Sequence, residues 1–344
     1  AWHEARRGTG VAERAGRKCS GRQPGGGRAW EERSGRRVTS MSVDVKTVTA
    51  TGITVDYEAR GPGDATPLLL VDGDTSTMLS WPEELMEGLK AQGFRVIRYD
   101  NRDVGRSEKL KGLPKVSDVA KAVREGRTPD MPYKVADMAA DGIGLMDALG
   151  IGRAHVMGIS MGGMIVQRMA IHFPERLLSV TSIMSTTGNP DLPKASDEAM
   201  KALQAQPASE EREDVIRHRM KGRRVYQSPA YPMSDEALYE RCAREFDHMY
   251  YPEGAVRQYA AIVGDGSRVD ALKKVRVPFL VVHGDSDPLV PPSGGEDTAK
   301  SVPGAKHVVI EGMGHDLPVE LCAHYVELIA AHARAAEAKR AAAE

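Results

Sequence analysis

A serine with a glycine two residues to either side, Gly158-Ile159-Ser160-Met161-Gly162, is the stretch of this chain best equipped for covalent chemistry. Ala154-His155-Val156-Met157 ahead of it reads as a short buried strand, and Met164 to Ala170 behind it has an apolar face at helical spacing. At such a strand-to-helix turn the serine backbone is strained, and glycines spare the neighbouring strand and helix a collision. The turn lifts the hydroxyl above the sheet edge and aims a helix N-terminus at it, which favours a developing negative charge. These are the requirements of a nucleophilic serine.

A serine hydroxyl needs a base, and the base needs an orienting carboxylate. In a doubly wound sheet both belong in loops at the carboxyl ends of strands. Two downstream loops fit. His283-Gly284-Asp285-Ser286-Asp287-Pro288 follows a strand expected over 277–282, and Glu311-Gly312-Met313-Gly314-His315-Asp316 follows one expected over 307–310. Asp285 and Asp287 are the candidate acids, and His283 and His315 the candidate bases. His283 ends a strand and reads as a packed histidine. His155, His172, His307 and His324 fall inside strands or helices and read as structural.

The elements that must position these groups alternate. Residues 43–50 and 53–60 flank Thr51-Gly52 as a β-hairpin. Leu68-Leu69-Leu70-Val71 is apolar without interruption, the pattern of a strand covered on both faces of a mainly parallel sheet. Ser80-Trp81-Pro82-Glu83 has capping-box spacing and opens a helix that ends near Gly93. Strands at 94–99 and 177–184 and a helix at about 135–149 surround the serine turn. Alternation stops between about 185 and 264, where the chain is polar, helix-biased and interrupted by prolines. It resumes with the strand at 277, and a helix from about 319 runs into an Ala-rich tail that is expected to fray. The reading is an α/β core over 41–184 and 265–344, with a helical cap inserted over 185–264 that supplies an apolar pocket.

Composition narrows the function further. Among 344 residues, 41% are hydrophobic and 28% charged, as in an ordinary globular chain. No apolar run is long enough to cross a bilayer, so no membrane association is expected. Residues 1–40 carry nine Arg and one Lys against four Glu, a net +6, which leaves −7 on the other 304 residues of a chain whose total is −1. An acidic body excludes nucleic acid as the expected partner. The Arg/Gly-rich residues 1–40 show no hydrophobic period and read as a disordered upstream extension. Cys19, Cys242 and Cys322 are too few and too far apart for a disulfide framework or a zinc site, which suits a reducing cytoplasm.

Taken together, Trp81-Pro82, Arg98-Tyr99-Asp100-Asn101-Arg102-Asp103-Val104-Gly105-Arg106-Ser107, Gly158-Ile159-Ser160-Met161-Gly162, Gly284-Asp285-Ser286-Asp287-Pro288 and Gly312-Met313-Gly314-His315 resemble an α/β-hydrolase. The branch is that of aclacinomycin methylesterase and related carboxylesterases, and the resemblance runs from Val43 to about Ala333. It implies a mainly parallel sheet with helices on both faces and a helical cap. It implies a small-molecule ester as substrate, no cofactor and no metal. Ser160, His315 and Asp287 would be the catalytic triad, with Trp81 against the substrate and Asp100 and Arg102 tying down their loop. Thioesters, lactones and carbon–carbon bonds stay open within the fold, as does a catalytically impaired binding module.

The oxyanion hole would take the Met161 N–H and, by position, the Asp74 N–H. Here the chain departs from the family, whose members usually carry His-Gly-X or Met-Gly-X where this one has Asp72-Gly73-Asp74. A like charge ~4 Å from the oxyanion could cost up to ~4 kcal/mol at an effective dielectric of about 20. Side chains that turn away, or a raised aspartate pKa, would relieve that cost.

Overall fold

The computed structural model describes residues 46–342. The basic extension expected over residues 1–40 lies outside them. Eight strands form one sheet: β1 (Lys46–Ala50), β2 (Ile53–Arg60), β3 (Thr66–Val71), β4 (Phe94–Tyr99), β5 (Ala154–Ile159), β6 (Leu177–Ile183), β7 (Phe279–Gly284) and β8 (Lys306–Ile310). Their spatial order is β1-β2-β4-β3-β5-β6-β7-β8, with β1, β2 and β4 antiparallel and every later pairing parallel. Thr51 and Gly52 join β1 to β2 with φ of 50° and 86°, the left-handed pair that matches the twist of a two-residue hairpin.

Eleven helices accompany the sheet among the described residues: α1 (Glu83–Ala91), α2 (Val116–Arg124), α3 (Val135–Ala148), α4 (Met161–His172), α5 (Asp197–Gln204), α6 (Arg212–Tyr226), α7 (Asp235–His248), α8 (Pro252–Asp265), α9 (Val269–Leu272), α10 (Ser293–Ser301) and α11 (Cys322–Ala341). The apolar run in β3 explains the layering. Leu69 and Val71 face a core that takes in α3 and α4, while Leu68 and Leu70 face a second core against α1 and α11.

Several local expectations change. Ser80 does not cap α1; Pro82 occupies the cap position, and the Ser80 hydroxyl donates to the Asp72 carboxylate instead. β7 begins at Phe279, after Pro278, which has no N–H to give to a ladder. Helices α2 and α10 lie where no helix was foreseen. The tail expected to fray is helical through Ala341, because Tyr325, Ile329, Ala333 and Ala336 are buried along α11.

Of the five helices between β6 and β7, α5 to α8 form the inserted group. They seat on the loop after β4 through buried charge. Arg257 on α8 holds both oxygens of Asp103, at 2.8 and 3.0 Å, and both side chains are fully enclosed. Beside them Gln258 donates to the Arg102 carbonyl at 3.0 Å and accepts from the Thr75 N–H at 2.7 Å. His248 on α7 lies 2.7 Å from Asp100. The Asp100 oxygens also accept from the N–H groups of Met78 and Arg106, and Arg102 forms a bidentate pair with Asp141 at 2.6 and 2.8 Å.

Removing one member of a buried ion pair leaves an unpaired charge in a dry site. Arg257→Met is therefore expected to cost about 3–5 kcal/mol of stability, and Asp103→Asn in the same chain to restore part of it. Urea unfolding midpoints measure both.

Candidate active site

Ser160 sits between the end of β5 and the first turn of α4 with φ 53° and ψ −119°. A serine tolerates that conformation only where its surroundings impose it. They do: its N–H donates to the Ile183 carbonyl at 3.0 Å, and its carbonyl accepts from the Ser185 hydroxyl at 2.7 Å. The two glycines are steric necessities. A Cβ on Gly158 would lie 2.1 Å from the Gly162 carbonyl oxygen, and one on Gly162 would lie 2.0 Å from that of Val71.

The structure brings Ser160, His315 and Asp287 together from three loops. Ser160 Oγ lies 2.9 Å from His315 Nε2, and His315 Nδ1 lies 2.7 Å from Asp287 Oδ2. The second oxygen, Asp287 Oδ1, accepts from the N–H groups of Leu289 and Val290, each at 2.9 Å. Burial opposes ionisation of Asp287. The His315 charge, bonds from His283 and His315, and the Val290 N–H outweigh it and hold the carboxyl well below the usual range. Asp285 faces elsewhere: its Oδ1 accepts from the Gly312 N–H at 2.8 Å and joins the two loops. His283 is fully buried, and its Nε2–H donates to the Val290 carbonyl at 2.9 Å, behind the acid rather than beside the serine.

The loop after β3 lies against the serine. A Cβ on Gly73 would stand 3.2 Å from Ser160 Cβ, so backbone there approaches closely. The Met161 N–H, at the first position of α4, has no carbonyl in its own helix to bond. Among the described residues no acceptor takes the Asp74 N–H. The two acids of this loop part company. Asp72 is buried beneath the site, where its carboxylate accepts from the Gly73 N–H and the Ser80 hydroxyl. Asp74 is half-buried on the cavity wall, and its Oδ1 is enclosed without a partner. Burial pushes both up to about 7, against the Ser80 and Gly73 bonds in one case and the Thr75 N–H in the other.

Trp81, expected against the substrate, is instead fully buried among Leu85, Met86, Leu89 and Tyr325 in the α1–α11 core and does not line the cavity that holds Ser160. Its size and apolar surface favour that core over a wet pocket.

Two cavities lie between the sheet and the inserted helices. One, of about 180 Å³, holds Ser160 and His315; the other, of about 360 Å³, is lined by Val215, Tyr226, Tyr250, Tyr251 and Tyr259. Asp74, Thr75, Leu203, Arg219 and Tyr226 border both. The wall of the smaller cavity combines apolar and charged side chains. Arg219, Arg223, Arg241 and Glu245 join Met184, Met233 and Leu238 in its wall.

Sequence reasoning also missed how the inserted helices grip the histidine loop. After α6, the Tyr226 carbonyl accepts from the His315 N–H at 2.7 Å, and the Tyr226 ring meets the imidazole edge to face at 6.4 Å. Ser228 is fully buried; its Oγ accepts from the Gly314 N–H at 2.9 Å and donates to Asp316 Oδ1. The Ser228 N–H donates to the same oxygen at 3.0 Å. Asp316, next to the histidine, was the available signal, but nothing in the sequence joins it to a serine so far away in the chain.

An eight-stranded, mainly parallel sheet carrying a serine, a histidine and an aspartate at the ends of β5, β8 and β7 defines a hydrolase fold with a nucleophilic-serine arrangement. The chain belongs to the alpha/beta hydrolase fold family, whose model matches residues 66–320. Over 309 residues it is 30% identical to rhodomycin D methylesterase DnrP of Streptomyces peucetius, covering 84% of this chain and 98% of that protein. The methylesterase DauP of a Streptomyces strain matches with the same identity and coverage. Among solved structures, the enol-lactonase of Burkholderia xenovorans superposes with a TM-score of 0.64 at 21% identity, covering 83% of this chain and 99% of that one.

Ser228→Ala strands the Gly314 N–H and loosens the loop that carries His315. A small misplacement of a base is costly, so kcat is expected to fall by about 10- to 100-fold with a much smaller change in KM. Steady-state kinetics on an aryl ester, with the rate of fluorophosphonate labelling, measure the effect.

Proposed function

We propose that this protein is a serine hydrolase of carboxylic esters that works through an acyl-enzyme on Ser160. The observation that carries the reading is the unbroken chain from Ser160 Oγ to His315 Nε2, at 2.9 Å, and from His315 Nδ1 to Asp287, at 2.7 Å. The 30% identity to two methylesterases over most of their length supports the same chemistry.

Ser160 Oγ attacks the acyl carbon while His315 Nε2 takes its proton. Asp287, kept ionised, holds the Nδ1–H tautomer and stabilises the imidazolium. The carbonyl oxygen becomes an oxyanion between the N–H groups of Met161 and Asp74. The tetrahedral intermediate collapses as His315 returns the proton to the leaving alcohol. Water, deprotonated by the same histidine, then attacks the acyl-enzyme, releasing the acid and freeing Ser160. The substrate is a small molecule held between the sheet and the inserted helices, a cap over the active site. Among the described residues no helix is long and apolar enough to cross a membrane. Cys242 and Cys322 are buried free thiols, in keeping with a reducing, cytoplasmic setting.

Asp74 is compatible with an oxyanion while its carboxyl is neutral. Its pKa is raised from 3.8 to about 7, so the proton is held below neutrality and lost above it. An ionised Asp74 opposes the oxyanion, and turnover should decline as pH rises past 7.

Ser160→Ala is expected to lower kcat for a p-nitrophenyl ester by about 10⁶-fold and abolish fluorophosphonate labelling, and Asp287→Asn to cost about 10⁴-fold. Full turnover in Asp287→Asn would overturn Asp287 as the acid. On a neutral ester, Asp74→Asn is expected to match the wild type at pH 5 and to exceed its kcat by roughly 10-fold or more at pH 9. A pH–rate profile of the two proteins checks the sign.

A further inference from the structure

The wall of the serine cavity carries more positive charge than ester hydrolysis needs. Arg219 and Arg223, one turn apart on α6, and Arg241 on α7 converge on a single acid, Glu245. Arg223 Nη2 donates to Glu245 Oε2 at 2.6 Å, and Arg241 Nε donates to Oε1 at 3.2 Å. Arg219 Nη1 stands 4.0 Å from Oε2, too far for a hydrogen bond. Its guanidinium lies over the Tyr250 ring, 5.5 Å from the centroid, a contact that occupies its face and none of its N–H groups. The Nη1 atoms of both Arg219 and Arg223 are enclosed and have no hydrogen-bond partner. All four charged side chains line the cavity that contains Ser160 and His315.

Among the described residues the other neighbouring acids make no hydrogen bond to the three arginines, although Asp316 and Asp72 lie near enough to Arg241 to feel its charge. Asp316 is engaged by Ser228, and Asp72 by Ser80 and the Gly73 N–H. Asp74 lies on the same wall, yet its Oδ1 bonds to none of the arginines. Two guanidinium groups with unused donors in an enclosed space, sharing one carboxylate with a third, call for an anion with planar acceptor geometry. A carboxylate fits that description.

We propose that Arg219 and Arg223 form a subsite for a carboxylate on the substrate, so that the preferred ester carries a second, ionised carboxyl group. This rests on the esterase reading and names its substrate class. Hydrolysis adds one water across the ester bond and leaves the recognised carboxylate untouched.

Two matched pairs test it on the full chain. Mono-p-nitrophenyl adipate against p-nitrophenyl hexanoate places the anion on the acyl side. The acetate of a hydroxynitrobenzoic acid against p-nitrophenyl acetate places it on the leaving group. The wild type is expected to favour the anionic member of at least one pair by about tenfold in kcat/KM, the worth of one charge-assisted hydrogen bond. Arg219→Gln should erase that preference, and Arg219→Lys, which keeps the charge, should retain part of it. Equal kcat/KM within both pairs overturns the subsite and leaves the esterase standing. Turnover of none of the four esters overturns the esterase reading instead. Calorimetric titration of Ser160→Ala with monomethyl adipate and with dimethyl adipate then judges the subsite alone. Tighter binding of the monoanion, weakened by salt and by Arg219→Gln, supports it, and equal binding overturns it.

Discussion

The strained turn at Ser160 is the constraint from which the rest of the site follows. A serine at positive φ holds its hydroxyl out over the sheet only because β3, β6 and α4 close in around its backbone. The Val71 carbonyl would overlap any side chain at Gly162, and the Gly162 carbonyl any side chain at Gly158. That closeness puts the Gly73-Asp74 backbone beside Ser160 and leaves the Met161 N–H at the start of α4 without a carbonyl of its own helix. Strain in one residue is thus offset by hydrogen bonds and close packing in three elements.

Charge then decides how the remaining pieces meet that turn. Buried pairs on the loop after β4 seat the inserted helices: Asp103 with Arg257 and Asp100 with His248. From the other side the segment after α6 takes the backbone N–H groups of Gly314 and His315. The inserted segment therefore helps to hold the loop that carries His315. A base carried on a loop needs such outside support, because its own backbone donors would otherwise be left unpaired in a buried place.

The two acids of the loop after β3 illustrate how environment sets charge. Asp72 and Asp74 are neighbours in sequence with like shifts, both pushed by burial to about 7. Asp72 faces donors and lies beneath the site; Asp74 faces the cavity with one oxygen unpartnered. Where the family's usual loop carries other residues, one aspartate here faces its own donors and the other faces the cavity.

By itself the sequence determined the alternation of strands and helices, the serine turn, and the order of serine, acid and histidine. Those features are local: an apolar run marks a buried strand, and glycines mark a tight turn, wherever they occur. Family resemblance narrowed two candidate acids and two candidate histidines to Asp287 and His315, the pair whose atoms meet within hydrogen-bonding distance. Only the tertiary structure decided that Trp81 is core, that Ser80 holds Asp72 instead of capping a helix, and that Ser228 clasps the histidine loop. It also decided that Arg219, Arg223 and Arg241 face inward. A polar, Arg-rich helix reads as a solvated face, and its charge pattern cannot say which side of it will be covered. Burial, pKa and partnership depend on groups far away in the chain, and their convergence is a property of the fold rather than of any local spacing.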